Sequence, residues 1–146
     1  MAMKNNQLHR GRLIDHVQLV VNDVKASQNF YTAVLAVLEI PVIGTAEGFF
    51  WADELVVSSK DSSAALRVLT GRHHLAFQAK DRAAVDAFYR SALIHGGRDN
   101  GVPGERPYHP GYYAAFVLDP DGNNIEAVYH GKARRSAPSV VIDFRS

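Results

Sequence analysis

"DHVQLVVNDVKASQNFY" (residues 15–31) and "HHLAFQAKDRAAVDAFY" (73–89) are one pattern written twice, 58 positions apart. Without a gap, His16 falls on His74, Asp23 on Asp81, Ala26 on Ala84, Phe30-Tyr31 on Phe88-Tyr89 and Leu35 on Leu93. A repeat of this kind fixes architecture before any single residue is interpreted. Each copy opens as a strand, with His16, Gln18 and Val20 on one face and Val17, Leu19 and Val21 on the other. Asp23 and Asp81 then sit where a helix start needs an acceptor for its unpaired N–H groups. The helical spacing predicts apolar stripes of Ala26, Phe30, Ala33, Val34 and Val37 in the first copy. In the second it predicts Ala84, Val85, Phe88 and Ala92, with His95 at its end.

Short strands follow each helix, at about 40–44, 48–57 and 64–70, then at about 97–101, 112–118 and 123–130. "LDPDGNN" (118–124) is a hairpin signal, in which Pro120 presets one dihedral and Gly122 supplies a positive φ. The unit is therefore βαβββ, spanning about 12–70 and again about 71–130, with 131–146 as a C-terminal tail. One such unit leaves a sheet face bare, so two must pair. The tail's "SVVIDF" has the composition of an edge strand.

Bulk composition narrows the field. A chain of 146 residues is the length of one domain, and one of this size buries roughly 68–70% of its unfolded surface. It has no cysteine, which excludes disulfides, thiolate ligands and cysteine nucleophiles and suits a reducing cytoplasm. The net charge of +1 is scattered, and the basic "KARRS" (132–136) reads as a solvated tail, so no nucleic-acid partner is expected. No apolar run reaches the roughly 18 residues of a membrane span, and the polar "MAMKNNQLHR" lacks the apolar core of a secretory signal.

With the doubled unit, "HHLAFQA" and "GYYAAFVLDPDGNNIEAVYH" (111–130), the sequence resembles the vicinal oxygen chelate superfamily. That group holds glyoxalase I-like enzymes, bleomycin- and fosfomycin-resistance proteins and extradiol dioxygenases. The resemblance covers about 12–130 and implies a single α+β domain over 1–146. In it two βαβββ repeats pair into a partly open, barrel-like mixed sheet with the helices outside. It further implies one divalent metal ion held by His16, His74 and Glu126. Aligning "LRVL" with "IEAV" places Arg67 opposite Glu126, so the family's fourth ligand position lacks a carboxylate. Two imidazoles and one carboxylate accept Fe, Mn, Zn, Ni or Co, and three ligands leave room for a chelating substrate.

The same resemblance suggests roles around the metal. His109, in "ERPYHPGYY", is an expected acid/base group, with Glu126 beside it as a catalytic carboxylate. Arg67, Tyr113 and Phe116 are expected at the substrate; Arg67 would hold an anionic group, and only one of Tyr112 and Tyr113 can face the cavity. Phe116 stands near the place where dioxygenases carry a hydrogen-bonding tyrosine. His73 is expected to pack or to support the site. The implied activity is a glyoxalase-like lyase or isomerase on a small oxygen-chelating molecule, in a cytoplasmic homodimer. Two alternatives accompany it: an Fe(II) extradiol dioxygenase, and a fosfomycin-type transferase or non-catalytic drug-binding protein.

Overall fold

A computed structural model describes residues 7–11, 14–62 and 69–143. The chain forms two compact units, one of Met1–Val24, Ile40–Thr70 and Arg134–Ser146, the other of Lys25–Glu39 and Gly71–Ala133. They do not coincide with the two sequence repeats, because the helix of the first copy belongs to the second unit.

The first unit is built on a four-stranded mixed sheet. Strand β2 (Val17–Val21) lies parallel to β5 (Leu55–Ser59), which continues antiparallel through β4 (Phe49–Ala52) to β3 (Gly44–Ala46). Parallel strands cannot be joined by a hairpin, so the chain must leave the sheet and return. Leu19, Val21, Phe50 and Val57 are fully or almost fully buried. The stretch expected as one strand over 48–57 is broken at Asp53, whose φ of 45° makes the turn between β4 and β5. Most of the expected strand at 64–70 lies outside the described residues. A separate two-stranded ribbon joins β1 (Gln7–Arg10) to β10 (Val140–Asp143), so the tail does supply a strand.

The second unit repeats the plan. Strand β6 (His74–Gln78) pairs parallel with β9 (Asn124–Tyr129), which continues antiparallel to β8 (Tyr113–Leu118) and β7 (Arg98–Glu105). Helix α2 (Arg82–Ile94) packs on this sheet with Ala84, Val85, Phe88 and Ala92 buried, as the spacing predicts. Asp81 caps it, accepting from the Ala84 N–H at 2.7 Å. His95 does not extend the stripe: it is exposed and its Nδ1 donates to the Ser91 carbonyl at 2.8 Å.

Helix α1 (Val24–Val37) belongs with this second sheet. Its buried residues are Ser27, Phe30, Tyr31, Val34 and Leu35, a face turned from the predicted one toward Tyr31 and Leu35. The hydroxyl of Tyr31 explains the turn of the face, because it donates to the buried Asp119 at 2.5 Å. Asp119 also accepts from the N–H groups of Asp121 and Asn123 and from the Asn123 side-chain amide, at 2.8–2.9 Å. With Gly122 at φ 88°, these bonds close the β8–β9 turn read from "LDPDGNN". Burial, and then the charge and hydrogen bond of Asp119, push the Tyr31 hydroxyl well above its usual pKa.

Replacing Tyr31 by Phe removes a hydrogen bond to a charged acceptor and lowers unfolding free energy by about 1.5–3 kcal/mol in urea titrations near neutral pH. The linkage has a definite sign. Above the ordinary value of 10.0 the unfolded chain ionises this tyrosine while the folded chain still holds its proton. The contribution is therefore complete below 10.0 and lost as pH rises through the folded value. Urea midpoints measured upward from pH 9 fall less steeply in Tyr31→Phe than in the parent chain.

Candidate functional site

The alternation along β6, β9 and β8 puts His74, Glu126 and Phe116 on one face of the second sheet. Ladder register sets Glu126 directly opposite both Ala76 and Phe116. Glu126 is a buried carboxylate, 2% exposed, in a strand otherwise filled by Ile125, Ala127 and Val128. A carboxylate there is costly unless its oxygens are occupied. Both are: His74 Nε2 lies 3.0 Å from Oε1, and the Tyr112 hydroxyl donates to Oε2. Burial first, then the hydrogen bond and charge of Glu126, push the Tyr112 pKa up to about 12, so at neutral pH the phenol keeps the proton it donates.

His74 is also fixed from behind. Its Nδ1 lies 3.1 Å from the Asn124 carbonyl. A carbonyl only accepts, so Nδ1 carries the hydrogen. The other ring nitrogen, Nε2, is thereby aimed at the Glu126 carboxylate, a nitrogen and an oxygen that a proton or a metal ion can join. Orientation of a ligand histidine by a backbone carbonyl is the usual support for metal binding. The imidazole also stacks on Phe116 with centroids 5.9 Å apart.

His16 belongs to the first unit, just before β2. Its ring is exposed, and Nδ1 lies 2.7 Å from Asp15 Oδ1. The two histidines at equivalent repeat positions are therefore both held at Nδ1 by an oxygen, leaving Nε2 for a ligand. Among the described residues no three His, Asp or Glu side chains converge as a metal site requires, so the proximity seen is the pair His74 and Glu126.

Several expectations need correction. In the two parallel ladders Gln18 faces Val56 as Ala76 faces Glu126. The first-copy counterpart of Glu126 is thus Val56, not Arg67, which lies outside the described residues. Tyr113 turns away from the site, its hydroxyl donating to Asp86 of α2 at 2.7 Å with Arg82 over its ring. Tyr113 and Phe116 are three residues apart in one strand, so they stand on opposite faces. Tyr112 takes the place beside Glu126. His109 is exposed and packs edge-on against Tyr112. Its Nδ1 donates to the Pro110 carbonyl at 2.9 Å, and its Nε2 meets His130 Nδ1 at 2.9 Å. Strand parity in the sequence points to Tyr112 and His130, since 126, 128 and 130 alternate together in the strand expected over 123–130 and 112 and 116 in that expected over 112–118. His73 serves through its backbone, donating its N–H to the Asn123 side chain at 2.9 Å. An open groove of about 910 Å³, lined by residues of α1 with Ile94, His95 and Pro120, contains none of these side chains.

Comparison with known proteins identifies the family and the fold. The family model of the Glyoxalase/Bleomycin resistance protein/Dioxygenase superfamily matches residues 13–127. A glyoxalase/bleomycin resistance protein from Albidiferax ferrireducens is 28% identical with a TM-score of 0.62, covering 80% of this chain and 98% of its own. A glyoxalase-related enzyme from Fulvimarina pelagi is 18% identical, TM-score 0.68, covering 90% and 97%. A lactoylglutathione lyase from Agrobacterium tumefaciens is 22% identical, TM-score 0.56, covering 79% and 91%. No curated protein matches the sequence.

The two neighbouring tyrosines separate by experiment. Tyr113→Phe lowers stability by about 1 kcal/mol in urea titration through loss of the bond to α2. Tyr112→Phe removes instead a hydrogen bond to the buried Glu126 carboxylate, and lowers stability by about 1.5–3 kcal/mol in the same titration.

Proposed function

This chain belongs to the Glyoxalase/Bleomycin resistance protein/Dioxygenase superfamily, and we propose that it is a metal-dependent lyase or isomerase acting on a small molecule with two adjacent oxygens. The observation that carries this reading is the facing of His74 Nε2 and Glu126 Oε1 at 3.0 Å, with Nδ1 held by a carbonyl. His74, Glu126 and His16 are the proposed ligands of one divalent ion, in a cytoplasmic homodimer. When bound, such an ion supplies Lewis-acid polarisation of two substrate oxygens. Fe, Mn, Zn, Ni and Co all accept this donor set.

The chain's own residues supply the rest. Tyr112 keeps Glu126 in one orientation, and Phe116 walls the site beside His74. The proton-transfer group we propose is the pair His109–His130. Because His109 Nδ1–H is committed to Pro110, its Nε2 accepts from His130 Nδ1–H. His130 therefore keeps its lone pair on Nε2, and His109 acts by positioning it. The absence of a carboxylate at Val56 separates this donor set from that of a four-ligand glyoxalase I.

Metal analysis of the native chain, followed by calorimetric titration, tests the proposal. His74→Ala and Glu126→Ala, and likewise His16→Ala, lower affinity by more than the roughly 10–100-fold lost with an outer-shell partner. Unchanged affinity in all three variants sinks it. Oxygen consumption with catechols after anaerobic Fe(II) loading would instead identify a dioxygenase.

A further inference from the structure

Arg106 lies on the face that carries His74 and Glu126, and its place there is built. The register of β7 against β8 shifts between Asp99 and Gly101 and again between Gly101 and Gly104. The two glycines leave the space the arginine uses. A Cβ on Gly101 would stand 3.0 Å from the Phe116 ring and 3.4 Å from Arg106 Nη2, and one on Gly104 3.1 Å from Nη1. The guanidinium rests over Phe116, 5.3 Å from its centroid, while His74 stacks on the same ring at 5.9 Å. Nη2 donates to the Val102 carbonyl at 2.7 Å and Nη1 to the Glu105 carbonyl at 3.3 Å.

Those bonds use two of the five N–H donors of a guanidinium. Among the described residues no carboxylate forms an ion pair with Arg106. The nearest in sequence, Glu105, is taken by Arg82 at 2.6 Å. A positioned, half-buried cation whose remaining donors face no anion of the chain is a receptor for an anion. The planar fork matches a carboxylate, and the apolar ring beneath it excludes water from one side.

We infer that Arg106 is the anchor for a carboxylate group of the substrate, so that the ligand is a small acid with adjacent oxygens at one end and a carboxylate at the other. The chelating end rests on the function proposed above; the carboxylate end rests on Arg106 alone. Arg106 thus takes the role that sequence alignment suggested for Arg67.

Two arms test the parts separately. In EDTA, glutarate is titrated into the full chain while the Arg106 Nε–H resonance is followed by NMR, assigned by its loss in Arg106→Gln. A saturable shift is expected with glutarate, and none with neutral glutaramide or with chloride at equal ionic strength. No shift, or the same shift with chloride, overturns the inference. In the Mn(II)-loaded chain, 2-oxoglutarate should bind roughly 10-fold more tightly than 2-oxopentanoate, which lacks the distal carboxylate. Arg106→Gln should bring the two acids within about twofold at unchanged Mn(II) affinity, and Arg106→Lys should keep part of the preference. Equal affinities in the parent chain, or a preference surviving in Arg106→Gln, also overturn it. Failure to bind Mn(II) leaves the EDTA arm to decide on Arg106.

Discussion

The four hydrogen bonds that converge on the buried Asp119 organise the second unit. One fastens α1 through Tyr31, and three shape the turn into β9. The turn then hands its geometry on. Asn123, oriented by Asp119, accepts from the His73 N–H, and the Asn124 N–H returns a bond to the His73 carbonyl at 2.8 Å. This fixes where β6 begins against β9, and so brings His74 alongside Asn124 and within reach of Glu126. A buried carboxylate in a turn thereby sets the register on which a second buried carboxylate, Glu126, depends for its partner His74.

The site itself is an exercise in satisfying one charge. Glu126 sits in a strand whose neighbours are apolar, where an unpaired carboxylate would not persist. Tyr112 and His74 answer it from two sides, one at each carboxylate oxygen. The same economy explains Phe116. In the middle of the face it offers no hydrogen bond, yet it lies against both the His74 imidazole and the Arg106 guanidinium. The face of an aromatic ring attracts a cation, and the guanidinium is one.

Local chemistry was legible in the sequence. The repeat, the Asp81 cap, the α2 stripe and the "LDPDGNN" turn all rest on interactions within a few residues, and each is found. What depended on pairing between distant strands was harder to see. Val56 became the counterpart of Glu126 only once the hydrogen-bonded ladders were known, because the similarity of "LRVL" to "IEAV" carries no information about register. The break at Asp53 had a signal, an Asp in a turn-prone "ADEL", but alternation ran through it. The α1 face shifted because Tyr31 answers to Asp119, 88 positions along the chain. Arg106 gave no sign in its own neighbourhood, since its seat is made by glycines in one strand and a phenylalanine in the next.

The ribbon of β1 and β10 has a kinetic meaning. Its two strands, joined also by His9 and Ser139 at 2.8 Å, close a loop of 130 residues. The entropy of closing so long a loop grows only slowly with length, but it must be met before any pairing rewards it. Two strands alone are marginal in water. The ribbon is therefore the last ladder to assemble and the first to open, and amide exchange should run from the chain ends inward.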